Sequence, residues 1–174
     1  PCRENREGMK KMFPENARER ERWADKAIEF ATSQGIVMCT DPNEQRFAEK
    51  LMGELTTIFT EEIAQSPLCA QYIFRMSDQD ESSPAHNADG FSSWSTRKDG
   101  LVIGSIGIAV EILHGDLDYL AHVWLHELAH LMTGQDEASP IFAGMQLELY
   151  RKYNELFGAN LELDKSDYSV AVKP

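Results

Sequence analysis

The sequence predicts an α+β fold in which N-terminal helices precede a small mixed or antiparallel sheet, a central helix and a C-terminal helix. Three observations support it: amphipathic spacing over 15–64, strand-forming residues with a hairpin signal over 68–110, and two well-capped helical segments after residue 115. A chain of 174 residues, 42% of them hydrophobic, is long enough to bury the core of one domain. We therefore expect 1–174 to form one domain, with a helical part at 1–65, the sheet and later helices at 66–158, and a tail at 159–174.

Two amphipathic helices are predicted before the sheet. The first covers Glu15 to Gln34 and ends at Gly35, a residue type that commonly follows the last helical turn. Asp41-Pro42 predicts the start of the second, because Asp accepts the first free amide hydrogens and Pro fits the first turn. This second helix is expected to reach about Ala64 and to turn four apolar side chains inward, namely Phe47, Leu51, Leu55 and Ile58.

The middle of the chain is predicted to form the sheet. Leu68 to Met76 is rich in strand formers, and a polar loop over 77–89 follows it. Phe91 to Arg97 and Leu101 to Ile108 predict two strands joined at Lys98-Asp99-Gly100, since Asp-Gly is a strong hairpin signal. Glycines at 104 and 107 indicate points where the backbone approaches another chain closely.

Two helices are predicted to complete the fold. The central helix begins near Asp116 or Asp118, either of which can cap it, and runs to Thr133 before Gly134. Ser139-Pro140 predicts the start of the last helix, which ends at Phe157 and is closed by Gly158. The tail from Ala159 is polar and is expected to be loosely held.

Composition excludes several classes of protein. The formal net charge of -12 argues against nucleic-acid binding, which depends on clustered Lys and Arg. No apolar run is long enough to cross a bilayer, so no membrane partner is expected. Three cysteines without paired spacing (Cys2, Cys39 and Cys69) indicate a reducing compartment and hence a cytoplasmic location. The chain starts at Pro1 instead of Met, which we interpret as a processed product or a piece of a longer protein, and the oligomeric state stays open.

The central helix carries a motif with metal-ligand spacing, His126-Glu127-Leu128-Ala129-His130. Residues four apart lie on one helix face, so His126 and His130 can bind one ion, while Glu127 lies at the edge of that face as a general base. The surrounding helix is apolar, and a histidine pair with a carboxylate is unfavourable to bury without a partner. The motif therefore predicts a zinc peptidase, against the alternative of two ordinary packed histidines.

A mixed sheet whose last strand leads into a helix with this motif resembles the zincin metallopeptidases over residues 68–158. The resemblance implies Zn2+ as cofactor and a peptide or protein as substrate. In zincins an edge strand binds the substrate by strand addition, and by resemblance the neighbourhood of Leu101 to Ile106 is the candidate here, against the equally weighted alternative of an ordinary sheet strand. The motif alone does not choose between metzincin-like and gluzincin-like members.

The third zinc ligand is predicted from the turn after the central helix. Metzincins place it three residues after a Gly that turns the chain back; here Glu137 follows Gly134 by three, although Asp136 has the metzincin distance from His126. Gluzincins use a Glu of the next helix, for which Glu148 or Glu155 is the candidate. Glu137 is favoured, also because some bacterial zincins share a pattern that resembles Thr133, Gly134, Glu137, Ser139 and Phe142.

The expected chemistry is hydrolysis of a peptide bond. Zinc with three protein ligands activates a bound water, and Glu127 is predicted to take its proton and pass it to the leaving amine. The residue that stabilises the oxyanion stays open among Tyr150, Tyr153, Tyr168, His114 and His86. His122 shares the face of the two histidines but lies too far from His130, about 12 Å along the helix, for all three to bind one ion. It is expected to be packed or to support a ligand. The alternative function is a zincin-fold binding or regulatory module without turnover.

Overall fold

The computed structural model describes residues 12–163, and within them an α+β fold confirms the predicted class. The helices are α1 (Ala17–Ser33), α2 (Pro42–Ile58), α3 (Thr60–Ala64), α4 (Val110–Leu113), α5 (Leu117–Thr133) and α6 (Pro140–Phe157). The strands are β1 (Leu68–Phe74), β2 (Gly90–Thr96) and β3 (Val102–Ala109), with a short 3-10 helix at Met76–Asp78. Cys2, Tyr168 and most of the predicted tail lie outside the described residues.

The helix ends follow the predicted caps. Side chains of Asp41, Asp116 and Ser139 accept the backbone amide hydrogens two residues ahead, at 2.9, 2.9 and 3.2 Å. Gly134 and Gly158 close α5 and α6 with φ of 65° and 62°, in the left-handed region that glycine adopts without strain. These local signals fix the lengths of the two helices that follow the sheet.

The sheet is mixed and has the order β1-β3-β2. β1 and β3 pair in parallel, and β2 and β3 form an antiparallel hairpin, where the Arg97 amide donates to the Leu101 carbonyl over 2.8 Å. The expectation that Leu101 to Ile106 forms the peptide-binding edge is wrong. β3 lies between the other two strands and is buried along its whole length, so its backbone groups are already paired. The edge strand beside α5 is β2.

Helices pack on both faces of the sheet. Ile73, Ile106 and Ile108 point to one face and pack with α5 and its neighbours. Tyr72 and Phe74, which alternate with Ile73, point to the other face and pack with α1. A Cβ at Gly107 would collide with the Tyr72 ring, so this glycine accommodates a close contact within the chain. α5 and α1 therefore lie on opposite sides of the sheet.

Two expectations about single segments are wrong. Phe47 is 37% exposed instead of buried, because its ring stacks on the exposed His114 with a centroid distance of 4.8 Å. The first part of the tail is not loose: Ala159, Leu161 and Leu163 pack against the core, and the Leu161 amide donates to Asn154 of α6 over 2.8 Å. Apolar residues at alternate positions hold this segment to the helix.

Arg20 fastens α1 to the start of the sheet. Its guanidinium donates to the carbonyls of Ser66 and Leu68, each over 2.8 Å, and also to those of Pro14 and Ala64. Within residues 12–163, no helix has both the length and the apolar character that a bilayer crossing requires. Cys39 and Cys69 are free thiols.

Candidate metal centre

Three donor atoms converge at the C-terminal end of α5. His126 and His130 lie one helical turn apart, and their Nε2 atoms are separated by 3.2 Å. After Gly134 the chain turns back, so that Oε1 of Glu137 lies 2.9 Å from His130 Nε2 and 3.3 Å from His126 Nε2. The structure thus brings together the three residues that the sequence favoured as ligands.

The spacing of these atoms fits a small tetrahedral cation. Donor atoms at about 2.0–2.1 Å from a tetrahedrally coordinated zinc lie about 3.3 Å from one another. The three observed separations of 2.9, 3.2 and 3.3 Å are close to that edge length. Two imidazoles and one carboxylate are also a donor set that zinc accepts. The residues present therefore fit a zinc ion, which His126, His130 and Glu137 would hold.

His130 is held in the tautomer that a ligand needs. Its Nδ1 lies 2.7 Å from the carbonyl oxygen of Gln135. A carbonyl oxygen can only accept, so Nδ1 must carry the hydrogen, and the Nε2 lone pair of a neutral ring faces Glu137. Metal-binding histidines generally have such an acceptor behind them. The turn after α5 thus supplies both Glu137 and the group that orients His130.

Phe142 of α6 packs against both imidazole rings. It is 1% exposed, its ring stacks on His130 with a centroid distance of 4.3 Å, and it meets His126 edge-on at 5.0 Å. This packing restricts both histidine rings to one orientation. The sequence pattern included Phe142 without assigning it this contact.

Glu127 lies beside the histidines but points toward the edge strand. It is 7% exposed, and burial raises the pKa of its carboxyl to about 7, against the opposing effects of the His130 charge and a hydrogen bond from Ser92. Gly90 leaves room for it: a Cβ there would lie 2.7 Å from Val123 and 3.1 Å from Cγ of Glu127. The start of β2 therefore sets the position and the acidity of this carboxyl.

The pKa of the Glu137 carboxyl is shifted the other way, below its ordinary value. Desolvation alone would raise the pKa of its carboxyl, but its own backbone amide lowers it, and so do His130 and His126 when, without a metal, their rings are protonated and can donate to the carboxylate. Its side chain is 56% exposed. The two carboxyls are thus distinguished by their surroundings, with Glu137 ionised as a ligand must be and Glu127 able to take up a proton near neutral pH.

The site opens into a cleft made of two adjoining hollows of 370 and 280 Å³, which share Gly90, Glu127 and Glu137. Phe91 and Trp94 give the larger hollow an apolar wall. The smaller one is polar and is bounded by three further side chains, Asp89, Tyr119 and His122. Residues 12–65 contribute nothing to either lining, so the described N-terminal helices do not cover the cleft.

The other ligand candidates do not join the cluster in the described chain. Asp136 lines the larger hollow, but its carboxylate accepts from the Ala138 amide over 3.0 Å. Glu148 and Glu155 are exposed on α6, and Glu155 borders a different hollow with Leu147 and Leu161. The third donor atom beside the two histidines therefore comes from the short turn after α5 and not from α6.

The predicted oxyanion residues are also placed elsewhere. His114 is engaged by Glu44 over 2.6 Å, the Tyr153 hydroxyl donates to Asp118 over 2.8 Å, and neither borders the cleft. His86 is exposed and Tyr150 is buried behind the site. His122 is packed, as expected, between Tyr119 and Tyr150, and it borders the smaller hollow.

Gln146 is a site residue that sequence reasoning missed. It is fully buried on α6, and its Nε2 lies 3.0 Å from His126 Nδ1 and 2.6 Å from the Tyr150 hydroxyl. The Tyr150 hydroxyl in turn lies 2.5 Å from His122 Nδ1. A signal existed in the sequence: Gln146 is the polar member of the otherwise apolar helical stripe of Phe142, Leu149 and Tyr153.

Comparisons with known proteins give no family: no protein-family model, curated protein or solved structure matches this chain. The geometry of the centre therefore carries the functional argument alone.

Proposed function

We propose that this chain is a zinc-dependent metallopeptidase with a zincin-like fold. One observation carries the proposal: the His126, His130 and Glu137 donor atoms lie at tetrahedral edge distances, with the Glu127 carboxyl beside them in the same cleft. Chance packing of two histidines would not require a third ligand and a separate buried acid at this spacing.

Zinc bound by three protein ligands supplies an activated water and polarises a carbonyl group. Glu127 is the residue that accepts a proton in this scheme and delivers it to the leaving amine. Its burial supports that role, because a carboxyl with a pKa of about 7 gains and loses a proton readily near neutral pH. Ser92 and Gly90 hold it in place, and Glu137 stays ionised.

The substrate class follows from the edge strand. β2 ends the described sheet on the side of the cleft, and Gly90, Phe91, Ser92 and Trp94 line the larger hollow. An extended peptide can add to such an edge through backbone hydrogen bonds, which favours no particular side chain. We propose peptide or protein substrates that bind along β2 instead of β3.

The test compares metal content and hydrolysis in the full chain and in Glu127→Ala. We expect one equivalent of zinc in both proteins, and cleavage of a mixed peptide library by the unsubstituted chain only. Zinc binding without cleavage of any peptide would support a binding or regulatory module instead. Absence of zinc from the unsubstituted chain, under conditions where it is folded, would refute the metal centre itself.

The ligand assignment has its own matched comparison. Glu137→Ala is expected to weaken zinc binding by more than about 100-fold, since loss of a supporting residue alone costs about 10–100-fold. Asp136→Ala and Glu148→Ala remove neighbouring acids outside the cluster and should keep the original affinity, measured by competition with a chelator. Equal affinities for all three variants would contradict Glu137 as the third ligand.

A further inference from the structure

The buried amide of Gln146 has one end bonded and the other unpaired. Its Nε2 contacts His126 Nδ1 at 3.0 Å and the Tyr150 hydroxyl at 2.6 Å, while its Oε1 has no hydrogen-bond partner. A fully buried amide oxygen without a donor is unfavourable and calls for an explanation. The unpaired end lies on a residue that touches a proposed zinc ligand.

This arrangement gives His126 the wrong tautomer for a ligand. If Nε2 of Gln146 donates to His126 Nδ1, that nitrogen must be the acceptor, and the hydrogen of a neutral ring then lies on His126 Nε2. His126 Nε2 would donate to Glu137 Oε1, 3.3 Å away. A protonated nitrogen has no lone pair for a metal, in contrast to Nε2 of His130.

A half-turn of the amide removes the tautomer conflict and places the NH2 group, instead of the oxygen, at the unpaired position. Oxygen and nitrogen of a primary amide are nearly equal in size, so exchanging them requires little movement of the neighbours. Oε1 would then accept from His126 Nδ1–H and from the Tyr150 hydroxyl, and the lone pair on His126 Nε2 would face His130 Nε2, 3.2 Å away. Gln146 would serve His126 as the Gln135 carbonyl serves His130.

We propose that Gln146 is a positioning residue that selects the zinc-binding tautomer of His126 by presenting its amide oxygen to His126 Nδ1–H. This inference rests on the proposed function. The same half-turn reverses the direction of donation along the buried chain, so that Tyr150 donates to Gln146 and His122 Nδ1, 2.5 Å from the Tyr150 hydroxyl, donates to Tyr150. Zinc binding is thereby linked to the tautomer of His122, which borders the cleft.

Zinc affinity of Gln146 variants tests the proposal without relying on turnover. Gln146→Glu offers oxygen acceptors only while its carboxyl is ionised, so affinities are compared as the pH is raised, and Gln146→Leu offers no acceptor. Gln71→Leu is the control, since Gln71 also bonds α5 from a partly buried position, accepting from Trp124 Nε1 over 2.8 Å, but does not touch the histidines. Affinities are measured by competition with a chromophoric chelator, and folding by circular dichroism.

We expect Gln146→Leu to weaken zinc binding about 10–100-fold, the usual effect of removing a residue behind a ligand. Gln146→Glu should bind zinc at least as tightly as the unsubstituted chain, and Gln71→Leu should match it. A ten-fold or greater loss in a folded Gln146→Glu variant would overturn the proposal, as would equal affinities for Gln146→Leu and Gln71→Leu. If the unsubstituted chain binds no zinc, the proposed function fails and not this inference alone.

A spectroscopic signature separates tautomer selection from general packing. In protein labelled with 15N in its histidine rings, zinc addition should give His126 a protonated Nδ1 and a metal-bound Nε2. The Gln146→Glu variant should show the Nδ1–H of His126 already before zinc is added. This arm remains decisive if Gln146→Leu does not fold, because a His126 ring bound through Nδ1 in either protein would refute the assignment.

Discussion

Removing the Glu127 charge should change how the stability of the metal-free protein depends on pH. Burial raises the pKa of this carboxyl from its ordinary value of 4.5 to about 7. The unfolded chain therefore loses the proton first, and between these two pH values the folded state holds one proton more. Stability from Glu127 is fully present below pH 4.5, falls as the pH rises, and is lost once the pH passes about 7.

The expected size follows from the distance between the two pKa values. At about 1.4 kcal/mol for each pH unit, the Glu127 carboxyl lowers the unfolding free energy by about 3 kcal/mol between pH 4.5 and 8. Glu127→Gln keeps the shape and carries no charge, so the variant should lack this decline. Acids far from Glu127 contribute equally to both proteins and cancel in the comparison, whereas Glu137 and His130 interact with Glu127 and form part of the measured difference.

The assay is urea unfolding of both proteins in chelator at half-unit steps from pH 4 to 8, followed by circular dichroism. We expect the two free energies to run parallel below pH 4.5 and to diverge by about 3 kcal/mol by pH 8, with Glu127→Gln the more stable. A constant difference across the whole range would show that Glu127 is not desolvated in the folded state, and the assignment of its environment by Gly90 and Ser92 would be wrong.

Three further predictions concern the packing around the centre and are checked by urea unfolding. Phe142→Leu should lower stability by about 1–3 kcal/mol and weaken zinc binding, because it removes the ring that packs against both imidazoles. The control Phe157→Leu, at a position that is 53% exposed, should do neither. Unchanged zinc affinity in Phe142→Leu would contradict that role for Phe142. Gly107→Ala should lower the unfolding free energy by about 1–3 kcal/mol, since its Cβ would collide with the Tyr72 ring. Gly144→Ala on α6, where a Cβ has nothing within 4 Å, should raise it by about 1 kcal/mol. Similar effects of both substitutions would refute the close contact at Gly107. Arg20→Met should lower the unfolding free energy by about 2–3 kcal/mol, because it leaves carbonyls near β1 without a donor. Arg18→Met, at an exposed position of α1, should change it little. A loss in Arg20→Met below about 0.5 kcal/mol, the usual size of a surface effect, would contradict the anchoring role.

Local chemistry made much of the fold predictable. Asp116, Ser139 and Gly134 act on neighbours within a few residues, and the Asp99-Gly100 turn joins adjacent strands, so each signal is complete within its own stretch. Strand order is different, because the parallel pairing of β1 with β3 joins residues separated by the loop and β2. No local pattern records that partner, and for this reason the buried β3 was mistaken for an edge.

The residues of the site likewise divide into those joined by local contacts and those joined only by tertiary packing. His126, His130 and Glu137 were predicted because helix spacing and one turn bring them together. Gly90, Ser92 and Gln146 were missed, because β2 and the inner face of α6 reach the centre only through tertiary packing. An unexpected polar residue within an apolar stripe, as at Gln146, is the one trace that such contacts leave in the sequence.

The convergence of ligands within one turn has a consequence for the order in which the protein could acquire its properties. The proposed ligands and the side chains of Phe142 and Gln146 that contact them all fall within residues 126–146, so the proposed metal site is built by a single helical hairpin with short-range contacts. The acidity of Glu127 depends instead on β2, from a remote part of the chain. The proposed metal site is thus specified by neighbouring residues, whereas the surroundings of the proposed general base form only where β2 packs on that hairpin.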